Sequence, residues 1–196
     1  GDGYVVPTDV PANEFLNLEG QKISTSRNWA VWLNEYLVDL PNKQDELRYV
    51  LTSIAPETKD SEFTWKDYQA RVNNELVAIL GNFVNRALGF TKKAFDGVIP
   101  ETEKYDDKDI EAENKIKNLS ADLGVLMEQN HLDRALKKIM EFSSFFNQYF
   151  QHKEPWKKEY IKNPHIDYAT NAIHGWFENK DVIIFRFKDY GFIHDN

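Results

Sequence analysis

The 196-residue chain contains no cysteine. That excludes a disulfide framework and any thiolate zinc site. No run approaches the roughly 18 consecutive apolar residues that a membrane-spanning helix needs, so no membrane partner is expected. The opening Gly1-Asp2-Gly3-Tyr4 has no basic stretch leading into an apolar run, so a secretory leader is not expected there. Positive charge is also short. The 24 Lys and Arg residues face 32 Asp and Glu, a net −8. General nucleic-acid binders draw most of their affinity from cations at phosphates, so DNA is not an expected partner. The deficit leaves room for a protein that reads a few bases at one local site.

What is present suits a globular protein. Apolar residues make up 41% and charged residues 29%, enough for one large domain or two small ones. Aromatic residues concentrate after residue 140. Charge is uneven: residues 101–113 are strongly acidic, whereas residues 133–162 carry an excess of Lys and Arg. RNA, if bound, should avoid the first segment and approach the second.

The pattern predicts a short strand at Phe15, Leu16 and Leu18, and a helix capped by Asn28 and starting near Trp29. Trp32, Leu33, Tyr36 and Leu40 continue that helix to Pro41. A second helix is predicted over 43–54, then an extended link at 62–65. From Trp65 the apolar positions Tyr68, Val72, Leu76, Ile79, Phe83, Ala87 and Phe90 recur at three and four, predicting one long helix. Two more follow: 107–129, with Ile110, Ile116, Leu119, Leu123 and Leu126 on one face, and 132–152. Three long amphipathic helices joined by short turns read as a bundle. Beyond turns at Pro155 and Pro164, a short helix at 167–178 and a strand at 182–187 are expected. The fold class is therefore mainly α, a helix bundle behind a small α/β region.

Two constellations carry chemistry. Lys22-Ile23-Ser24-Thr25-Ser26-Arg27 joins two cations to three hydroxyls before an expected helix start, a composition suited to phosphates. Asn82 and Arg86, four apart on one helix, form a donor-rich pair for base edges, and Trp156 after Pro155 offers a stacking platform for an unpaired base. By composition alone such a loop is more often a solvated cap, such a pair more often a solvated helix face, and such a Trp more often core or crevice packing. The five histidines show no metal spacing, so no metal site is expected.

The loop resembles the KMSKS motif of class I aminoacyl-tRNA synthetases, and Asn13 to Trp32 resembles its methionyl-tRNA synthetase form. Lys22 matches the first lysine, and Ser24 and Ser26 the serines. Thr25 stands where many members have the second lysine, so Lys22 or Arg27 would carry more of the charge. The stretches 45–49, 63–76, 81–90, 130–140 and 154–156 resemble the same family. The resemblance implies catalytic roles for Lys22, Ser24, Thr25 and Ser26, and ATP-phosphate binding by Lys22 and Arg27. It implies recognition of the CAU anticodon of methionine tRNA by Asn82, Arg86 and Trp156.

It further implies residues 1–65 as the loop and connective region of a catalytic domain and 66–196 as an anticodon-binding helical domain, with an atypical tail over 159–196. ATP with magnesium, and methionine, would act only with a core that this sequence lacks, since the HIGH motif, methionine pocket and zinc-bearing insertion lie upstream in the family. The chain alone is then expected to be inactive, and the full-length ligase cytoplasmic. A stand-alone, non-catalytic RNA-binding module and a helical interaction domain without RNA contact are the alternatives.

Overall fold

The computed structural model describes residues 3–98 and 105–157. The expected elements at 167–178 and 182–187, the turn at Pro164 and the atypical tail lie outside the described residues.

A small sheet forms first. Strands β1 (Leu16–Leu18), β2 (Gln21–Lys22) and β3 (Ser61–Phe63) lie in the order β2-β1-β3. β1 and β2 are antiparallel, with Leu18 opposite Gln21, and β1 runs parallel to β3, with Leu18 opposite Phe63. The two-residue connection Glu19-Gly20 takes φ of 49° and 75°. Two positive φ values give the primed hairpin turn that matches strand twist, and Gly20 adopts its value without steric cost.

Two short helices lie between β2 and β3, α1 (Leu33–Asp39) and α2 (Gln44–Ser53). The first starts four residues later than the sequence predicts. Asn28 is not its cap: it sits at φ 51°, inside a turn that closes an antiparallel bridge between Ser24 and Trp29. Its side chain instead accepts the Trp32 Nε1–H at 3.0 Å. Local side-chain bonding of this kind competes with helix initiation.

The predicted long helix forms, but not as one α-helix. It consists of α3 (Trp65–Arg71), a π-helical segment (Val72–Gly81) and α4 (Asn82–Phe95). Thr64 caps its start by accepting the Asp67 N–H at 3.0 Å. In the π segment hydrogen bonds span five residues rather than four, and the Asn82 N–H reaches back to Val77. A Cβ on Gly81 would lie 3.1 Å from the Leu76 carbonyl, so glycine relieves the tightest point. Helices α5 (Asp107–Glu128) and α6 (Leu132–Lys153) follow close to the predicted bounds.

Two apolar clusters hold these elements. The larger joins Phe83 and Ala87 of α4, Leu119, Leu123 and Met127 of α5, and Ile139, Phe142 and the fully buried Phe146 of α6. The smaller joins Leu18, Tyr49, Val50 and Phe63 to Tyr68, Val72 and Leu76, and to Leu136 and Met140 of α6. Helix α6 therefore enters both. The sheet layer and the bundle share that one helix as a wall.

An ion network pins α5 to α6. Lys153 Nζ lies 2.7 Å from Asp106 and 2.6 Å from Asp109, and the Tyr149 hydroxyl donates to Asp109 at 2.6 Å. Asp106 also caps α5 in a reciprocal capping box with Asp109. Because Asp109 turns inward in this first turn, Ile110 is half exposed instead of joining the apolar face. Burial works against the ionised Asp106. Lys153 and the N–H groups of Asp109 and Lys108 outweigh it and hold the carboxyl below its ordinary value.

Asp109→Ala is expected to cost about 3 kcal/mol, the scale of stranding one partner of a buried pair, read by urea unfolding. A depressed carboxyl contributes stability that is full above its unfolded value of 3.8 and is lost as pH falls through the folded one. The stability gap between wild type and Asp106→Asn should therefore narrow below that pH.

Candidate functional site

The first candidate is the loop at 22–27. Lys22 ends β2, and Ser24 to Trp29 form a closed turn: Ser24 N–H donates to the Trp29 carbonyl at 2.9 Å and Trp29 N–H to the Ser24 carbonyl at 2.8 Å. The Trp29 indole anchors the turn by donating to the Leu18 carbonyl at 3.0 Å. The Arg27 guanidinium donates to the Lys22 carbonyl at 3.2 Å, which folds its side chain back over the start of the loop. Ser24 and Ser26 hydroxyls lie 3.2 Å apart. Lys22, Thr25, Ser26 and Arg27 are exposed and Ser24 half-buried, and Lys22 Nζ rests 4.7 Å from the Phe15 ring.

The loop itself contains no acid, so its two cations and three hydroxyls have no carboxylate among them in the segment. Helix α1 begins only at Leu33, so the expected help of a helix N-terminus is not supplied at this turn. The anion-binding capacity rests on side chains.

The second candidate lies on α4, α6 and the turn behind α6. Asn82 is exposed and Arg86 half-buried on one edge of α4. Each meets a partner of α6 with the same four-residue spacing. Asn82 Nδ2 donates to Asn147 Oδ1 at 3.1 Å, and Arg86 Nη2 donates to Gln151 Oε1 at 2.9 Å. The Arg86 guanidinium also lies over the Phe150 ring, 5.0 Å from its centroid. On from Phe150 comes Trp156, with ring centroids 6.0 Å apart.

Glu154 ends α6 with φ 45°, and Lys157 N–H returns to its carbonyl at 3.0 Å. This turn buries Pro155 and leaves Trp156 41% exposed, touching the protein with one part and presenting the rest outward. Lys153 fixes the preceding helical turn to α5. Asn82, Arg86 and Trp156 thus share one strip, linked through Asn147, Phe150 and Gln151. Sequence reasoning missed these three linking residues. The available signal was Asn147 and Gln151, four apart on an otherwise aromatic helix, repeating the Asn82–Arg86 interval.

The family model "tRNA synthetases class I (M)" matches residues 1–88, which span the loop, Asn82 and Arg86. A methionine–tRNA ligase of Parabacteroides distasonis is 55% identical over 168 residues, covering 86% of this chain and 25% of that protein. One of Porphyromonas gingivalis is 57% identical over 157 residues, covering 79% and 23%. The chain spans about a quarter of the length of these curated relatives. The fold is similar to that of Mycobacterium tuberculosis methionyl-tRNA synthetase in complex with methionyl-adenylate, with a TM-score of 0.72, 22% identity, and coverage of 90% of this chain and 35% of that one.

Trp29→Ala should leave the bundle folded and speed amide hydrogen exchange across 22–28, read by mass spectrometry. Unchanged exchange would mean that the turn is held elsewhere.

Proposed function

From the support that family model, curated relatives and solved structures give to membership of the class I methionyl-tRNA synthetase family, we propose that this chain is the part of a methionine–tRNA ligase that recognises the CAU anticodon of methionine tRNA and supplies the KMSKS-type loop for methionine activation. The observation that carries the reading is the strip itself. Residues far apart in sequence, Asn82 and Arg86 on α4 and Trp156 behind α6, are joined by hydrogen bonds and ring contacts into one amide, guanidinium and indole surface. Such a surface suits unpaired bases: the indole stacks one, and the amide and guanidinium read edges. An anticodon loop is a single-stranded target of that kind.

In the loop, Lys22 and Arg27 face the triphosphate of ATP, and Ser24, Thr25 and Ser26 donate hydroxyl hydrogen bonds to it. Their exposure and the absence of acids among them fit a polyanion. Thr25 adds no charge where many family members have lysine. Arg27, folded back onto Lys22, supplies the second cation. Magnesium would arrive with the nucleotide and be held largely by its phosphates. These side chains bind and orient phosphates, and the groups that bind methionine belong to the rest of the enzyme.

Binding of a CAU anticodon stem-loop should weaken by about 1–3 kcal/mol in Trp156→Ala, the scale of losing one stacked base. Arg86→Ala should weaken it comparably and also relax the preference for the base whose edge the guanidinium reads. Fluorescence anisotropy with CAU and base-substituted stem-loops reads both, and equal binding by wild type and Trp156→Ala would remove Trp156 from the site. Methionine-dependent ATP–pyrophosphate exchange by the isolated chain is expected to read background.

A further inference from the structure

Asn147 makes two hydrogen bonds of opposite sense. Its Nδ2 donates to the Ile79 carbonyl at 2.8 Å, and its Oδ1 accepts from Asn82 Nδ2 at 3.1 Å. The Ile79 carbonyl lies in the π segment, two residues before its end, where hydrogen-bond spacing is about to return from five to four. A backbone carbonyl can only accept. That fact sets the whole relay. Asn147 must turn its NH2 toward Ile79, so its oxygen faces Asn82. Asn82 must then answer with its own NH2, and its Oδ1 points away from Asn147.

An amide unconstrained at both ends could present either end to a ligand. Here the backbone dictates the end. Arg86, one turn on, offers only donors. The pair therefore presents one acceptor beside a set of donors.

We propose that Asn147 is a positioning residue that fixes Asn82 with its carbonyl oxygen toward the bound base, so that the strip selects a base with an exocyclic amine over one with a keto group at the same place. This inference rests on the anticodon reading above and deepens it. Cytosine carries an amine at C4, where uracil carries an oxygen. Asn82 Oδ1 accepts from the amine, and Arg86 donates to the ring nitrogen and carbonyl beside it. With uracil, Asn82 Oδ1 faces another acceptor and both are left unpaired, the situation that discriminates most strongly. The π segment belongs to the device: it places the Ile79 carbonyl where Asn147 can reach it while holding Asn82 on the same edge.

The test measures the affinity ratio of the 196-residue chain for CAU and UAU anticodon stem-loops, in wild type, Asn147→Ala, Asn82→Ala and the double variant. Asn147→Ala frees the Asn82 amide to rotate, and the ratio should fall about tenfold. In the Asn82→Ala background Asn147→Ala should change the ratio no further, an outcome a merely structural role would not give. An unchanged ratio in Asn147→Ala, or an equal further loss in the Asn82→Ala background, overturns the assignment. A wild type with no preference between the two stem-loops overturns the anticodon reading as well, which separates the two failures. If Asn147→Ala shows no cooperative thermal melt, wild type with a stem-loop carrying N4,N4-dimethylcytosine decides: lost binding supports the outward acceptor, and unchanged binding overturns it.

Discussion

An ammonium group whose side chain is 13% exposed sits between two carboxylates at the meeting of α5 and α6. Lys153 could not be buried there alone, because stripping water from one charge costs several kcal/mol. Asp109, itself buried, would suffer the same without Lys153 and the Tyr149 hydroxyl. Each group is tolerable only while the others are in place. The start of α5 is therefore locked to the last turn of α6. The segment leaving that turn inherits the lock: Glu154 reverses the chain, Pro155 is buried, and Trp156 emerges at a fixed point beside Phe150. The placement of Trp156 depends on an ion pair made by the last residue of the helix from which it departs.

Helix α6 distributes these duties around its circumference. Phe142 and Phe146 fill the larger core, and Leu136 and Met140 reach the smaller one, so the sheet layer cannot shift against the bundle without opening both. Asn147 and Gln151 occupy the edge facing α4, with Phe150 between them beneath Arg86. The stretch from Phe146 to Gln151 thus packs a core, braces a π segment and holds the Asn82 and Arg86 side chains.

The long helices were legible because apolar spacing at three and four is their direct consequence, and α5 and α6 keep the predicted bounds almost to the residue. The π segment was not. Apolar residues at Val72, Leu76 and Ile79 fit spacing at three and four well enough to hide a stretch bonded at five. Asn28 misled for a related reason: asparagine favours both a helix cap and a left-handed turn, and the Trp29 bridge to Ser24, anchored by the indole on Leu18, decided for the turn. At the candidate site, Asn82, Arg86 and Trp156 could be singled out by residue type, spacing and resemblance. Their partners on α6 could not, because which faces of two helices meet is set by packing of Phe83 and Ala87 against Phe146, not by either helix alone.

The net charge of −8 bears on how such a strip could hold RNA at all. Arg86 is bonded to the neutral amide of Gln151 and rests on an aromatic ring. A carboxylate in place of Gln151 would hold the guanidinium more strongly and would also have to surrender it, or repel phosphates, when RNA arrived. With an amide, an incoming base exchanges one ordinary hydrogen bond for another, and the guanidinium keeps its full charge. In the proposed reading Asn82 keeps its bond to Asn147, also a neutral amide, and meets the base through its other end. The acidic character of the chain lies elsewhere, and at the capping turn of α5 it is consumed internally by Lys153. An acidic protein can therefore read a few bases where its polar contacts are neutral. On the proposed reading, affinity comes from stacking and edge complementarity more than from phosphate attraction, and those are the contributions that differ between one base and another.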